Sequence, residues 1–173
     1  MALVSIILPY YKKSEYVKST INSILDQTYQ NFEIILIDDE LSEESKKVLN
    51  DLKDLDKRIT VIENSKNLGA GYSRNEGIKV SKGDFLAFCD CDDLWDKKKL
   101  DYQLSFMKSF NIDVCHTSYD ILNEFGKIIG SRVVSSELRF NDLLKSCDIG
   151  LSTVLIKKKI LTAHNAYFPN LKT

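Results

Sequence analysis

Four short apolar runs, each leading into a stretch of helical spacing, limit what this chain can fold into more than any other feature. The runs are "LVSIILP" (3–9), "FEIILIDD" (32–39), "RITVIEN" (58–64) and "FLAFCD" (85–90). The first two are rich in Ile and lack an apolar/polar alternation, the pattern of strands covered on both faces of a parallel sheet. The segments between them carry the helical period. "SEYVKSTINSILDQT" (14–28) brings Val17, Ile21, Ile24, Leu25 and Thr28 to one face. "SEESKKVLNDLKDL" (42–55) predicts a helix capped by Ser42, with Glu43 and Glu44 at its positive end and Val48, Leu52 and Leu55 along one side. "GAGYSRNEGIKVSKGD" (69–84) predicts a helix entered through glycine and stopped at Gly83. "DKKKLDYQLSFMKSF" (96–110) predicts a fourth, capped by Asp96, with Leu100, Leu104 and Met107 inward. Strand alternating with helix four times predicts an α/β fold, a doubly wound, mainly parallel, Rossmann-like sheet flanked by helices.

Past residue 111 the pattern changes. "DVCHTSYDILNEFGKIIGSRVV" (113–134) predicts two strands around a turn at Asn123–Gly126, "FNDLLKSC" (140–147) a short helix, and "LSTVLIKK" (151–158) another strand. These form a small, irregular C-terminal layer expected on the same sheet. Repeats, low-complexity tracts and Pro/Gly/Ser-rich linkers are absent from the sequence, and 173 residues at 43% hydrophobic content suffice for one core. The expectation is a single domain over residues 1–173.

Charge and cysteines narrow the function classes. With 24 basic and 25 acidic side chains the net charge is −1, which argues against a general nucleic-acid binder. The N-terminus sets its apolar run before its charges, the reverse of a secretory leader, and no apolar run approaches the roughly 18 residues of a membrane span. Cys89, Cys91, Cys115 and Cys147 are therefore expected to be reduced, mostly buried thiols of a cytoplasmic protein. His116 and His164 stand at no zinc-site spacing from the Cys89-x-Cys91 pair.

The chemistry gathers at the carboxyl ends of the predicted strands, where parallel α/β sheets bind ligands. The first strand ends in Pro9, Tyr10 and Tyr11, the second in Asp38 and Asp39, the third near Asn64 and Asn67, and the fourth in Asp90, Asp92 and Asp93. One helix cap needs one acid, so capping leaves the last cluster unexplained. Carboxylates packed so closely point to a divalent cation, and few protein oxygens suit Mg²⁺ or Mn²⁺ whose other ligands are water and substrate phosphates. In an extended segment Asp90 and Asp92 would share a side and Cys91 would point away. A diphosphate supplies the missing oxygens. Tyr11 offers a flat face to a base, Asp39 an acceptor for an imide N–H, and Arg74 with Gly69 and Gly71 donors for phosphate at a helix start.

At these residues the sequence resembles the inverting family 2 glycosyltransferases of GT-A fold. "VSIILPYYKKSEYVKSTINSILDQTYQNFEIILIDDELSEES" looks like the family's opening block, "NLGAGYSRNEGI" is similar to its glycine-Arg-Asn block, and "GDFLAFCDCDDLWDKKKL" resembles its acidic block with an Asp-x-Asp metal motif. The resemblance implies transfer of a sugar, with inversion, from a nucleotide-diphosphate sugar, a UDP-sugar favoured. The acceptor would be a saccharide or lipid-linked saccharide in polysaccharide, lipopolysaccharide or glycoconjugate assembly. It makes 1–110 the nucleotide-binding half and 111–173 the start of an acceptor-side half. Pro9 and Tyr11 would lie against the base, Asp39 on its edge, and Glu15 near the nucleotide pocket. Arg74 and Asn75 would face the nucleotide, Asp90 the ribose and the metal region, and Asp92 would hold Mn²⁺ or Mg²⁺, with Cys91 the variable middle residue of the motif. A lipid-linked acceptor extends the cytoplasmic expectation to peripheral association with the inner face of the cell membrane.

The sequence also departs from the family. Lys12 stands where Asn is frequent, Asp38-Asp39-Glu40-Leu41 replaces Asp-Asp-Gly-Ser and so loses a glycine suited to positive φ, and Lys97 replaces a proline. The family's base is the aspartate of a Glu-Asp pair downstream of the strand that "LSTVLIKK" resembles. "AYFPNLKT" looks like its lead-in, and no acid follows Asp148. The expectation is a base beyond Thr173 and a chain that binds donor without efficient transfer, the alternative being a non-catalytic nucleotide-sugar binder. A phospho-receiver domain would need its acid pair after the first strand, which ends in Pro-Tyr-Tyr. A sugar-nucleotide pyrophosphorylase would need a glycine-rich loop there, and "YYKKSEY" is not one.

Overall fold

The computed structural model describes residues 1–135 and 149–169. Strands β1 (Val4–Tyr10), β2 (Phe32–Asp38), β3 (Ile59–Glu63) and β4 (Phe85–Phe88) alternate with helices α1 (Val17–Leu25), α2 (Glu43–Lys53), α3 (Ala70–Val80) and α4 (Lys99–Phe110). Then come β5 (Val114–Cys115), β6 (Tyr119–Leu122), β7 (Ile128–Arg132), a 3₁₀ turn at Leu151–Thr153, β8 (Leu155–Lys157) and α5 (Lys158–Ala163). Among the described residues the main sheet runs β3-β2-β1-β4-β8-β5, with β1 to β4 parallel and β8 antiparallel to both its neighbours. The chain winds one way from β1 to β3, then returns to place β4 on the other side of β1. The point where the order reverses lies between β1 and β4, the place where doubly wound sheets bind their ligands.

Both faces of the sheet are covered, as the unalternating strands require. Val4, Ile6, Leu8 and Tyr10 pack with Val17, Ile21 and Ile24 of α1, Leu49 and Leu52 of α2, and Leu100 and Met107 of α4. Ile7, Ile35, Ile37, Leu86 and Phe88 pack on the other side with Ile78 of α3 and Ile160 and Leu161 of α5. Each such aliphatic side chain contributes about 1.5–3 kcal/mol when fully buried. Gly77 lets α3 lie close, since a Cβ there would sit 2.6 Å from Ile7 Cγ2. Among the described residues no helix is long and apolar enough to cross a membrane.

Several expectations are corrected. The α2 face uses Leu49 with Leu52, because the helix ends at Lys53 and Leu55 lies 52% exposed beyond it. Ser42 does cap α2, accepting from Ser45 N–H at 2.9 Å. Helix α3 stops at Val80 with Ser81 extended, so Gly83 is no helix stop. Its place is set by close approach to β1, where a Cβ would lie 2.6 Å from Ser5 N. Asp96 caps no helix; its carboxylate accepts from Lys98 N–H in the turn before α4. Thr28 is exposed, its hydroxyl bonded to Asp101 rather than packed in the core. The later segments do not form one layer on the main sheet. β5 and β8 join that sheet, whereas β6 and β7 pair as a separate hairpin around Gly126, whose φ is +74°. The helix expected over 140–147, with Cys147, lies outside the described residues.

Candidate active site

The loops after β1 and β4 leave the sheet side by side, because β1 and β4 are parallel neighbours from Val4 opposite Phe85 to Ile7 opposite Phe88. After Phe88 the chain turns rather than extending: Asp93 N–H donates to the Asp90 carbonyl at 3.1 Å. Cys91 points away from the acids through this turn. Its thiol is buried and contacts the Pro9 carbonyl at 3.2 Å, so its side chain faces the core. Burial holds the thiols of Cys89 and Cys91 well above the usual cysteine range and raises that of Cys115, and all three are free.

Asp90 and Asp92 remain accessible, with side chains 44% and 40% exposed. Each is met by a cation. Arg74 from α3 donates to Asp90 Oδ1 at 2.6 Å, and Lys13 from the loop after β1 lies 2.6 Å from Asp92 Oδ2. The hydrogen bond to Asp92 raises the Lys13 pKa above the ordinary lysine value. Desolvation, with the nearby charges of Asp90 and Asp92, raises the Asp93 carboxyl, and the Ser152 hydroxyl bonded to it works the other way. Ser152 also accepts the Asp90 N–H at 3.0 Å, so one hydroxyl holds both ends of the acidic turn. Among the described residues no three His, Cys, Asp or Glu side chains converge as a metal cluster.

Helix α1 supports this turn through a polar stripe. Thr20 Oγ1 donates to the Cys91 carbonyl at 2.9 Å and Ser23 Oγ accepts from Trp95 N–H at 3.1 Å. Gln27, just past the helix, donates to the Asp96 carbonyl at 2.6 Å and accepts from Leu100 N–H at 3.1 Å. The apolar period of α1 was readable; this stripe was missed, although Thr20, Ser23 and Gln27 fall at helical spacing. Lys13 and Ser152 were missed too, and nothing local in the sequence pairs them with the acids.

The other expected residues fall around the same edge. Pro9 is half-buried at the end of β1, Tyr11 is exposed just past it, and Glu15 is exposed in the turn before α1. Asp39 is buried. Its Oδ1 accepts from Asn64 Nδ2 and Leu68 N–H, and its Oδ2 from Gly69 N–H at 2.8 Å. The amides at the entry to α3 are thus taken by a carboxylate of the chain itself. Gly71 is covered by the Pro169 carbonyl, which a Cβ would approach to 2.7 Å. Asn75 faces the returning segment 166–169, bonding Phe168 O and N–H at 2.9 Å each. Between the acidic turn and β6 lies a cavity of 860 Å³, lined by Asp90, Asp92, Trp95, Tyr102, Tyr119 and Ser152 among others.

The sequence model described as "Glycosyl transferase family 2" matches residues 5–164. The chain belongs to glycosyltransferase family 2. Within this family it is 37% identical over 159 residues to an Escherichia coli protein named UDP-Glc:alpha-D-GlcNAc-diphosphoundecaprenol beta-1,3-glucosyltransferase WfgD, covering 92% of this chain and 62% of that one. It is 33% identical over 172 residues to the putative teichuronic acid biosynthesis glycosyltransferase TuaG of Bacillus subtilis, covering 99% of this chain and 68% of the relative. The fold matches the crystal structure of S. aureus TarS 1–349 in complex with UDP-GlcNAc at a TM-score of 0.80 and 22% identity, over 100% of this chain and 50% of that one. The mannosyltransferase PcManGT from Pyrobaculum calidifontis, in complex with GDP-Man and Mn2+, matches at a TM-score of 0.72 and 14% identity, over 96% of this chain and 47% of that one. The architecture is therefore the GT-A fold, and this chain spans about two thirds of the length of these two relatives and about half of the two solved structures.

Proposed function

We propose that this chain carries the donor side of an inverting glycosyltransferase that takes a nucleotide-diphosphate sugar, a UDP-sugar favoured, in cell-envelope polysaccharide assembly. The observation that carries this reading is the pairing of an exposed aromatic, Tyr11, with the acidic turn of Asp90 and Asp92 across the β1–β4 switch point. A base on Tyr11 and a diphosphate at the acids use both sides of that point. Asp39 accepts three protein N–H groups, and a carboxylate has about four acceptor sites. The remaining one, on Oδ2, is the acceptor assigned to the imide N–H of the base. The UDP preference draws on the donor in the E. coli relative's name and on UDP-GlcNAc in the TarS complex. The first of these names also favours a lipid-linked acceptor, which would set the reaction at the inner face of the membrane. The cavity beside the acidic turn is the space assigned to sugar and acceptor.

Two half-exposed carboxylates fit Mn²⁺ or Mg²⁺, which take oxygen ligands and leave several to water and phosphate. Asp92 is the residue assigned to it, with Asp90 beside it. Such a cation, when bound, neutralises charge growing on the departing diphosphate. Arg74 orients Asp90 and adds positive charge at the same edge. Thr20 and Ser152 keep the turn in place, and Lys13 balances Asp92. Transfer itself needs a base to take the proton from the acceptor hydroxyl as that oxygen attacks the anomeric carbon.

Titration calorimetry with UDP and Mn²⁺ tests the assignment. Asp92→Ala is expected to abolish metal-dependent UDP binding, and unchanged affinity in that variant would overturn it.

A further inference from the structure

We propose that Glu40 is a positioning residue that sets the base end of the donor site by tying the loop after β1 to the loop after β2. This rests on the reading that Tyr11 faces the base. The β1–β2 ladder ends with Asp39 N–H on the Tyr10 carbonyl at 3.0 Å, after which the two loops part. The next tie between them is the Glu40 side chain. Its Oε2 accepts from Lys12 N–H at 2.8 Å, and its Oε1 accepts from the Ser42 hydroxyl at 2.9 Å. Ser42 is itself fixed as the cap of α2, and Asp38 Oδ1 holds Glu40 N–H at 3.0 Å and Leu41 N–H at 3.1 Å. The carboxylate is therefore anchored on the α2 side and reaches across.

Both residues that flank this link have unfavourable backbone. Lys12 has φ of +50° and Leu41 has φ of +64°, in the left-handed region that side chains of this kind rarely adopt. The strain expected from a lost glycine falls on Leu41 and on Lys12 across the gap, not on Glu40. Such conformations persist where the surroundings over-determine them, and at functional sites. Here the charged acceptor on Lys12 N–H is what holds the first of them. Tyr11 is the residue immediately before Lys12, so the turn that Glu40 enforces decides where the Tyr11 ring stands. Lys12 Nζ, 5.2 Å from that ring's centroid, is directed by the same turn.

The test compares UDP with inorganic pyrophosphate, each titrated calorimetrically with Mn²⁺ into the chain. Pyrophosphate lacks the base, so it reports on the acidic end alone. Glu40→Ala is expected to weaken UDP about tenfold, the effect of losing one hydrogen bond to a charged group, and to leave pyrophosphate within about twofold. Glu40→Gln keeps an oxygen for Lys12 N–H and is expected to recover most UDP affinity. Unchanged UDP binding in Glu40→Ala, a parallel loss of pyrophosphate, or failure of Glu40→Gln to recover affinity would each overturn the role. Tyr11→Ala separates the two ideas. If it weakens UDP while Glu40→Ala does not, only the Glu40 role falls; if it leaves UDP unchanged, the base assignment falls and takes the Glu40 role with it.

Discussion

Burial at the start of α4 pushes the Lys99 pKa down from 10.5 to about 8. The ammonium lies 4.2 Å from the centroid of the Trp95 ring and donates to Gln103 Oε1 at 2.6 Å, and among the described residues it is in no ion pair that would offset desolvation. Between pH 8 and 10.5 the unfolded chain binds this proton more tightly than the folded one, so the lysine's contribution to stability rises with pH. Below pH 8 the lysine is charged in both states and the full cost of its burial is present. Urea unfolding should therefore show the parent chain gaining about 1 kcal/mol relative to Lys99→Met between pH 7 and pH 9. Parallel behaviour of the two would mean that Lys99 keeps an ordinary pKa. Tyr10 is the opposite case: burial first, then the charge of Glu40, lifts its hydroxyl to about 12, so it stays neutral and apolar at the end of β1 throughout that range.

Helix α1 does two jobs with one set of turns. Val17, Ile21 and Ile24 bury it against the sheet, while Thr20, Ser23 and the following Gln27 hold the loop from Cys91 to Leu100. Thr20→Val keeps the shape and leaves the buried Cys91 carbonyl without its hydroxyl donor. The expected cost is about 1–3 kcal/mol of stability, together with faster hydrogen exchange at the Asp93 amide, which closes the acidic turn. Exchange at Asp93 unchanged from the parent would show that the turn does not depend on α1.

At the scale of the molecule, the sheet order decides which loops meet. β1 is flanked by β2 and β4, so the aromatic end, the Asp39 carboxylate and the acidic turn are carried to one edge of the sheet although they are spread over some eighty residues of sequence. A ligand that spans this edge binds only the folded chain. UDP with Mn²⁺ at a hundredfold above its Kd should stabilise the chain by about 2.7 kcal/mol, a rise in Tm of several degrees. UDP without the metal should raise it much less. A thermal-shift series over UDP-, GDP- and dTDP-sugars reads the base preference from the same measurement, and a larger shift with GDP would move the donor assignment away from uridine.

By itself the sequence determined the four strand–helix units, the burial of both sheet faces and the clustering of acids after β4, because each is written in the spacing of side chains over about ten residues, whereas the turn those acids adopt was expected as an extended segment. Helix ends were less legible where the stop signal was ambiguous. Gly83 looked like a helix terminator and serves a close approach to Ser5, a distinction that depends on a strand seventy-eight residues away. Only the tertiary structure decided which polar residues support the site. Thr20 and Cys91 are seventy-one residues apart, Ser152 and Asp90 sixty-two, Lys12 and Glu40 twenty-eight. None of these pairs has a local period, since each is created when the fold brings distant segments of the chain to one edge of the sheet. The acids and aromatics at this edge were therefore readable, and the scaffold that holds them was not, because hydrogen bonds between distant segments follow from strand order rather than from neighbouring residues.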